Sequence, residues 1–190
     1  NLFRAACPLI VLEGLAVNQN SGRRASGIQI YGVDDRFWSL HRRPGKRLGT
    51  RDALLNQALA RELGSVVGDA VLITVELPGE APVETLHGRR DEPGHTLRLK
   101  CKGILGGDQL GEFSIYPRHG SVPAVFVPLG QLQENLEQEA RVNTILLSRT
   151  EAARSSRSDA SELSHQLLRR AFSLTDIGLQ VRSLAGRASL

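Results

Sequence analysis

In several short stretches of the chain, apolar residues alternate with other residues, and this period of two predicts β-strands. The first two stretches, Pro8–Val17 and Ser26–Val33, are separated by seven residues rich in turn formers, so we predict a β-hairpin. Further strands are predicted at 71–77, around Leu99, at 112–116, at 122–129, at 143–148 and at 176–184.

Other stretches carry apolar residues three and four positions apart, which is the period of an amphipathic helix. The two longest stripes are Leu55, Leu59 and Leu63, and Leu129, Leu132, Leu136 and Ala140. We expect the first helix to begin at the N-cap Thr50, and the second to begin after Pro128. Phe37 and Trp38 are placed on a short helical turn, and a capping box at Asp159 opens a last helix.

This order of elements predicts an α+β fold with mixed, mostly antiparallel sheets and packed helices. We expect a single domain over 1–190, built from two small subdomains. The strand-rich middle, about 66–122, would form the second of these.

The stretch Leu63–Asp69, with the sequence LGSVVGD, marks the change from a helix to a strand. Gly64 is the expected C-cap, because glycine adopts the left-handed conformation without a Cβ penalty. Gly68 permits the sharp return of the chain, and Asp69 is expected to cap a turn.

The composition is that of a globular protein, with 41% apolar and 23% charged residues among 190. No apolar run reaches the roughly 18 residues that span a bilayer. The chain contains no methionine, which indicates a processed protein or a piece of a longer one. The net charge of +4 is compatible with nucleic acid or anionic lipid. Aromatic residues make up only 4%, too few for a platform that stacks bases.

No catalytic, cofactor-binding or metal-binding residue is predicted. The glycine-rich stretch 103–111 lacks the Lys-Ser/Thr ending of a phosphate-binding loop, and neither a dinucleotide motif nor a nucleophile elbow occurs. The five histidines are scattered and do not pair at metal-ligand spacing. Asp34 and Asp35 are adjacent, so they are interpreted as turn or cap residues. Cys101 alternates with core leucines and is expected to be a buried free thiol, with a bridge to Cys7 as the alternative.

Three segments resemble, in order and spacing, the extracytoplasmic core domain of FtsX/MacB-type ABC-transporter permeases. They are RASGIQIYGVDDRFW at 24–38, LLNQALARELGSVVGDAVLITVELP at 54–78 and AVFVPLGQLQENLEQEARVNTILLS at 124–148. With the final FSLTDIGLQV, the resemblance covers about 26–181. The residues that carry it, in structural rather than catalytic roles, are Gly32, Asp34, Phe37, Trp38, Gly64, Gly68, Asp69 and Pro128.

The resemblance implies a non-catalytic domain on the outer (periplasmic) side of the cell membrane. It would lie between two transmembrane helices absent from this chain, and act with a cognate ABC ATPase and a second permease subunit. Its expected role is to transmit ATP-driven conformational change to a substrate or to an extracytoplasmic partner protein. Efflux, lipoprotein release and mechanotransmission are the activities typical of the family.

The alternative is a DNA-binding or other β-barrel-like binding module, because a helix, an LG-x-x-GD turn and a strand also occur in such domains. The pI of 9.6 is compatible with it. The motif occurs only once in the chain and accounts for a small part of it, so we expect no nucleic-acid partner.

Overall fold

The structure, a computed structural model, describes residues 3–76, 95–115 and 120–150, and beyond them 162, 165–166, 169–170, 182–184 and 187–189. The chain divides into two compact units. The larger unit comprises 6–147, and the smaller comprises 1–5 together with 148–190. The strands within 66–122, the stretch expected to form a second subdomain, belong to the larger unit.

Seven strands, three α-helices and one short 3₁₀ helix (Gly107–Gln109) precede residue 150 in the described part of the chain. The strands are β1 (Phe3–Asn18), β2 (Arg24–Val33), β3 (Asp52–Asn56), β4 (Ala70–Glu76), β5 (Thr96–Leu105), β6 (Ala124–Pro128) and β7 (Thr144–Arg149). The helices are α1 (Asp35–Leu40), α2 (Gln57–Leu63) and α3 (Leu129–Asn135).

Six of these strands close into a ring. The order is β2-β6-β3-β5-β4-β1, and β1 also pairs with β2, while β7 lies beside β1. The pairs β2–β6 and β3–β5 are parallel, and the other four pairs of the ring are antiparallel. The predicted α+β class and the predicted hairpin of β1 and β2 are therefore confirmed.

The interior of the ring is the main hydrophobic core, which we call the inner core. Its residues alternate along all six strands, as they must when one face of each strand points inward. They include Ile10, Ile28, Leu55, Val71, Ile73, Leu99 and Val125. Leu59 and Leu63 of α2 and Leu129 and Leu132 of α3 belong to the same cluster, so both helices are packed on the ring.

A second buried cluster, the outer layer, lies on the outward faces of β2, β3 and β6 and the first half of β1. It is built around aromatic rings and consists of Cys7, Leu9, Tyr31, Val33, Phe37, Trp38, Leu54, Leu105, Ala124 and Phe126. Leu110 and Phe113, from the loop after β5, pack against it. We call the part of the ring under this layer the covered wall.

The helix predicted from Thr50 to Leu63 is wrong in its first half. Residues 52–56 form β3, and only Gln57–Leu63 are helical. The N-cap is therefore Asn56, whose side chain accepts a hydrogen bond from the Leu59 N–H at 2.9 Å. Thr50 lies in the turn before β3.

Two further predicted elements are shorter than expected. Helix α3 ends at Asn135 and has Leu136 as its C-cap, so Ala140, with φ of 58°, lies beyond it. No strand forms at 112–115, the described part of the strand predicted at 112–116, where Phe113 instead packs on the outer layer. The strand predicted at 143–148 is confirmed as β7.

In the smaller unit, residues 162, 165–166 and 169–170 are helical, in agreement with the helix predicted after Asp159. Strands β8 (Arg182–Leu184) and β9 (Arg187–Ser189) pair antiparallel. Most of the strand predicted at 176–184 lies outside the described residues. In the described part of the chain, no helix combines the length and the apolar character that crossing a bilayer requires.

Candidate interaction surface

Gly64 and Gly68 shape the turn between α2 and β4 as the sequence predicts. Gly64 ends α2 with φ of 60° and ψ of 32°, in the left-handed region. Gly68 has φ of 104°, which is also a region that side chains with a Cβ rarely adopt. The turn therefore depends on glycine at both positions.

Asp69 joins this turn to the turn of the β1–β2 hairpin. Its carboxylate accepts hydrogen bonds from the Val66 N–H at 3.1 Å, from the Asn18 amide at 3.0 Å and from the Asn20 amide at 2.7 Å. The Asn18 amide also donates to Ser65 Oγ at 2.9 Å. These bonds, above all the one from Val66, lower the pKa of Asp69, because they stabilise the charged form.

Two apolar side chains are exposed where these turns meet, a region that we call the braced tip (18–23 and 64–69). Val66 is 62% exposed and Val67 is 61% exposed. Both belong to a turn whose backbone is fixed by Asp69 and by the bond from the Gly68 N–H to the Cys101 carbonyl, 2.7 Å long. The tip therefore presents apolar groups on a rigid support.

Helix α1 lies on the covered wall. Asp34 precedes its first residue, and Phe37 and Trp38 lie within it. Asp34 is the N-cap: its carboxylate accepts from the Arg36 N–H at 2.9 Å and forms an ion pair with the Arg36 guanidinium at 2.6 Å. The interpretation of Asp34 as a cap is therefore confirmed. Phe37 and Trp38 are buried in the outer layer, with ring centroids 5.1 Å apart in an edge-to-face arrangement.

Gly32 and Pro128 position α3. Gly32 pairs with Val127 across β2 and β6, and a Cβ at residue 32 would lie 2.9 Å from Leu132 Cδ2. A larger residue at this position would therefore require the Leu132 side chain of α3 to shift. Pro128 ends β6 and directly precedes the first residue of α3, as predicted.

The two cysteines of the described part are buried, His41 is half-buried, and burial favours the neutral form of all three. Burial, together with the nearby Asp34 carboxylate, raises the pKa of Cys7 to about 11. Burial also raises the pKa of Cys101. The two thiols are free, and they lie in different clusters, Cys7 in the outer layer and Cys101 in the inner core. Burial lowers the pKa of His41, whose ring meets the Phe37 ring edge-to-face, with the ring centroids 4.9 Å apart.

Buried thiols of this kind are poorly suited to nucleophilic chemistry at neutral pH, because the nucleophile of a cysteine enzyme is the thiolate. No group of three or more metal-binding side chains occurs among the described residues.

Asn56 is a buried residue that the sequence interpretation missed. Its amide donates to the Gly111 carbonyl at 3.0 Å and to the Val122 carbonyl at 2.7 Å, and its oxygen also accepts from the Ala124 N–H at 3.0 Å. With the bond that caps α2, the side chain satisfies its full hydrogen-bonding capacity. The only sequence signal was an Asn that follows an apolar run, a pattern typical of a cap.

The other side of the ring carries no aromatic layer in the described part of the chain. We call it the open wall, and it consists of the outward faces of 13–18 in β1, of Arg24 at the start of β2, of 70–74 in β4 and of 96–102 in β5. Its outward side chains are exposed or half-buried and include Leu15, Val17, Leu72, Thr96, Arg98 and Lys100.

Comparison with solved structures gives matches for most of the chain. One is the periplasmic region of MacB from Actinobacillus actinomycetemcomitans, with 11% identity, a TM-score of 0.52, and coverage of 90% of this chain and 68% of that one. Another is the extracellular domain of the noncanonic ABC-type transporter YknZ from Gram-positive bacteria. It has 12% identity, a TM-score of 0.53, and coverage of 87% of this chain and 76% of that one.

At these identities the likeness shows the fold. The chain has the fold of MacB-type extracytoplasmic domains, as the sequence resemblance predicted. No family model and no curated protein matches the sequence.

Proposed function

We propose that this chain is the non-catalytic extracytoplasmic domain of an ABC-transporter permease. In this proposal it transmits ATP-driven conformational change from the membrane to a substrate or partner outside. The observation that carries the proposal is the fold shared with extracytoplasmic regions of two ABC-type transporters. Flanking transmembrane helices, a cognate ATPase and a second permease subunit belong to the same proposal.

The construction of the larger unit supports a mechanical role. In a closed ring every ring strand has two neighbours, so the sheet resists shear and bending better than an open one. The braced tip adds hydrogen bonds between residues about fifty positions apart, such as Asn18 and Asp69. When one part of such a body is displaced, the tip moves with it, because little of the motion is absorbed by deformation of the ring.

The buried, neutral thiols support the absence of cysteine-based catalysis. A thiol with a pKa of about 11 is almost entirely protonated at neutral pH, so Cys7 is a poor nucleophile. The residues that carry the family resemblance cap helices, form turns or fill the outer layer, and these are roles in the fold.

The alternative, a DNA-binding module, receives less support from the surface. Tyr31, Phe37, Trp38 and Phe126 are buried in the outer layer, so none of these rings can stack on a base. A titration with duplex DNA at several salt concentrations separates the two functions. Specific binding whose affinity falls steeply with salt would favour the alternative.

The test of the proposed function uses the full gene product in its own cells. We expect the protein to fractionate with membranes, to be cleaved in this domain by protease added from outside the cell membrane, and to co-purify with an ABC ATPase. A cytosolic protein, or a domain protected from external protease, would contradict the proposal.

A further inference from the structure

Four outward side chains of the open wall lie in one row across four strands. Val17 of β1 pairs with Arg24 of β2 on one side and with Leu72 of β4 on the other, and Leu72 pairs with Arg98 of β5. We call this row the basic band. Because neighbouring strands are about 4.8 Å apart, the two arginines are separated by roughly 14 Å, with two apolar side chains between them.

Neither arginine of the basic band is neutralised within the described part of the chain. Arg24 and Arg98 are exposed, and neither forms an ion pair or a side-chain hydrogen bond with a described residue. Glu13, an acidic residue of the same wall, lies four positions along β1 from Val17, roughly 13 Å away. Its carboxylate accepts a hydrogen bond from Gln29 at 2.8 Å.

Two other basic residues of the larger unit have acidic partners in the described part of the chain. Arg36 forms an ion pair with Asp34 at 2.6 Å, and Lys102 forms one with Asp52 at 2.7 Å. The Lys102 ammonium also lowers the pKa of Asp52. The basic band thus differs from these positions in having two exposed guanidinium groups around half-buried apolar residues.

We propose that the open wall, through the basic band, docks an acidic surface of a partner protein. The proposal rests on the proposed function in taking that partner to lie outside the membrane. Val17 and Leu72 would meet apolar residues at the centre of the contact, and Arg24 and Arg98 would pair with carboxylates at its rim. This arrangement, an apolar centre within a charged rim, is the usual anatomy of a protein interface.

A lipid surface fits the band less well. Peripheral binding to anionic membranes requires apolar groups buried about 5–10 Å into the headgroup region. Val17 and Leu72 are half-buried in the wall and lie between longer arginine side chains. Recognition of anionic lipids also uses clusters of about four to eight basic residues, whereas the band has two and Lys100 of the open wall adds a third.

The size of the band predicts a weak, salt-dependent contact. Four strands and two or three outward rows cover on the order of 200–300 Å², well below the roughly 800 Å² per partner of a stable complex. The adjoining braced tip, with Val66 and Val67, enlarges the available surface. Such a contact is in the range of transient interfaces, in which charge pairs guide association.

The experiment is photo-crosslinking in living cells with the full gene product. The probe is p-benzoylphenylalanine in place of Thr96, an exposed residue that precedes Arg98 on the outward face of β5. The matched control carries the same probe in place of Ser39, an exposed residue of α1 on the covered wall. We expect a protein adduct from the first site that is absent from the second, and mass spectrometry of the adduct identifies the partner.

Charge variants then test the chemistry of the contact. The double substitution Arg24→Glu and Arg98→Glu should lower the adduct yield by about tenfold or more, because like charges would face each other. The double substitution Arg24→Lys and Arg98→Lys should retain most of the adduct yield. Arg43→Glu with Arg47→Glu, two exposed residues outside the open wall, changes the net charge equally and should leave the yield unchanged.

Reversal of acidic residues on the identified partner to Lys should restore the adduct with the Glu variant. The proposal is wrong if no adduct forms at the Thr96 position, if the adducts are lipid, nucleic acid or a second copy of this chain, or if charge reversal leaves the yield unchanged. These results are independent of cell fractionation. Failure of the docking proposal therefore leaves the proposed function standing. A cytosolic partner would contradict the proposed function and, with it, the location of the partner outside the membrane.

Discussion

The two walls belong to the same ring of strands but differ in what lies outside them. The covered wall carries a second buried layer, in which the Phe126 ring lies 5.9 Å from the Phe37 ring between centroids, and Phe113 packs against this layer with its ring centroid 5.0 Å from that of Phe37. The open wall carries Arg24 and Arg98 around half-buried apolar residues. On the covered wall, buried side chains on both faces therefore stabilise the fold. On the open wall, only the inward side chains do so.

This difference assigns separate roles to residues that look alike in sequence. Leu54 and Leu72 are both strand leucines with outward side chains, but Leu54 is 1% exposed and Leu72 is half-buried. Changes on the covered wall should therefore affect stability, and changes on the open wall should affect contacts with other molecules. The predictions below test this division.

Asn56→Asp should have the largest effect on stability. The substitution removes both N–H donors, which leaves the Gly111 and Val122 carbonyls without partners and places a carboxylate beside them. Two orphaned carbonyls at about 1–3 kcal/mol each and a buried charge predict a loss of about 4 kcal/mol or more in the free energy of unfolding. Chemical denaturation measures it.

Asn143→Asp is the matched control for that variant. Asn143 also uses both ends of its amide, bonding the N–H and the carbonyl of Val11 at 2.9 and 2.8 Å, but it is exposed. Water can replace the lost donor there, so the loss should stay below about 1 kcal/mol. Equal losses for the two variants would mean that burial of Asn56 is not what makes it important.

Phe37→Ala should destabilise the protein by about 3–4 kcal/mol, in the range for a fully buried aromatic residue. Phe37 is fully buried and contacts the rings of Trp38 and His41 as well as two other phenylalanines. Leu72→Ala, on the open wall, should lose about 1 kcal/mol, because only part of that side chain is buried. Similar denaturation midpoints for the two variants would remove the distinction between the walls.

Gly64→Ala and Gly130→Ala should change stability in opposite directions. Gly64 has φ of 60°, so a Cβ there should cost about 1 kcal/mol or slightly more. Gly130 lies within α3, and a Cβ at that position meets no atom within 4 Å, so alanine should stabilise the helix by up to about 1 kcal/mol. If Gly64→Ala raises the denaturation midpoint, the left-handed cap is not required.

The protein should also lose stability as the pH falls, because of His41, which packs on the covered wall. Burial lowers its pKa in the folded state below 6.5, so the unfolded chain binds a proton at a higher pH than the folded chain does. The contribution of neutral His41 is complete above about pH 6.5 and decreases as the pH falls from there to the folded-state pKa.

His41→Phe should abolish that part of the pH dependence. The measurement is the denaturation midpoint of both proteins between about pH 7.5 and 5, a window above the titration of Asp52 and Asp69, whose pKa values are lowered. Parallel pH profiles for the two proteins would show that His41 is not protonated preferentially in the unfolded chain.

Much of the fold could be predicted from local patterns, because period and turn chemistry act over a few residues. The β1–β2 hairpin, the left-handed Gly64 and the start of α3 at Pro128 are examples. The structure of the segment 52–63 could not be predicted in this way. Leu54 faces the outer layer and Leu55 the inner core, so the strand is apolar on both faces and reads like a buried helix.

The candidate surface was predicted only in part, for a different physical reason. Gly64, Gly68 and Asp69 could be recognised as turn residues, but their partners Asn18 and Asn20 lie about fifty positions away. The basic band is likewise non-local, since Arg24 and Arg98 are brought into one row by the register of four strands. The spacing of residues in the sequence does not show which residues of neighbouring strands pair with each other.

The most direct test of the division between the walls is the free energy of unfolding of the Arg24→Glu and Arg98→Glu double variant, compared with Phe37→Ala. Because both arginines are exposed and unpaired among the described residues, the double variant should stay within about 0.5 kcal/mol of the wild type. Phe37→Ala should lose several times more. A double variant that loses as much as Phe37→Ala would show that the open wall holds the fold together, which contradicts its assignment as a contact surface.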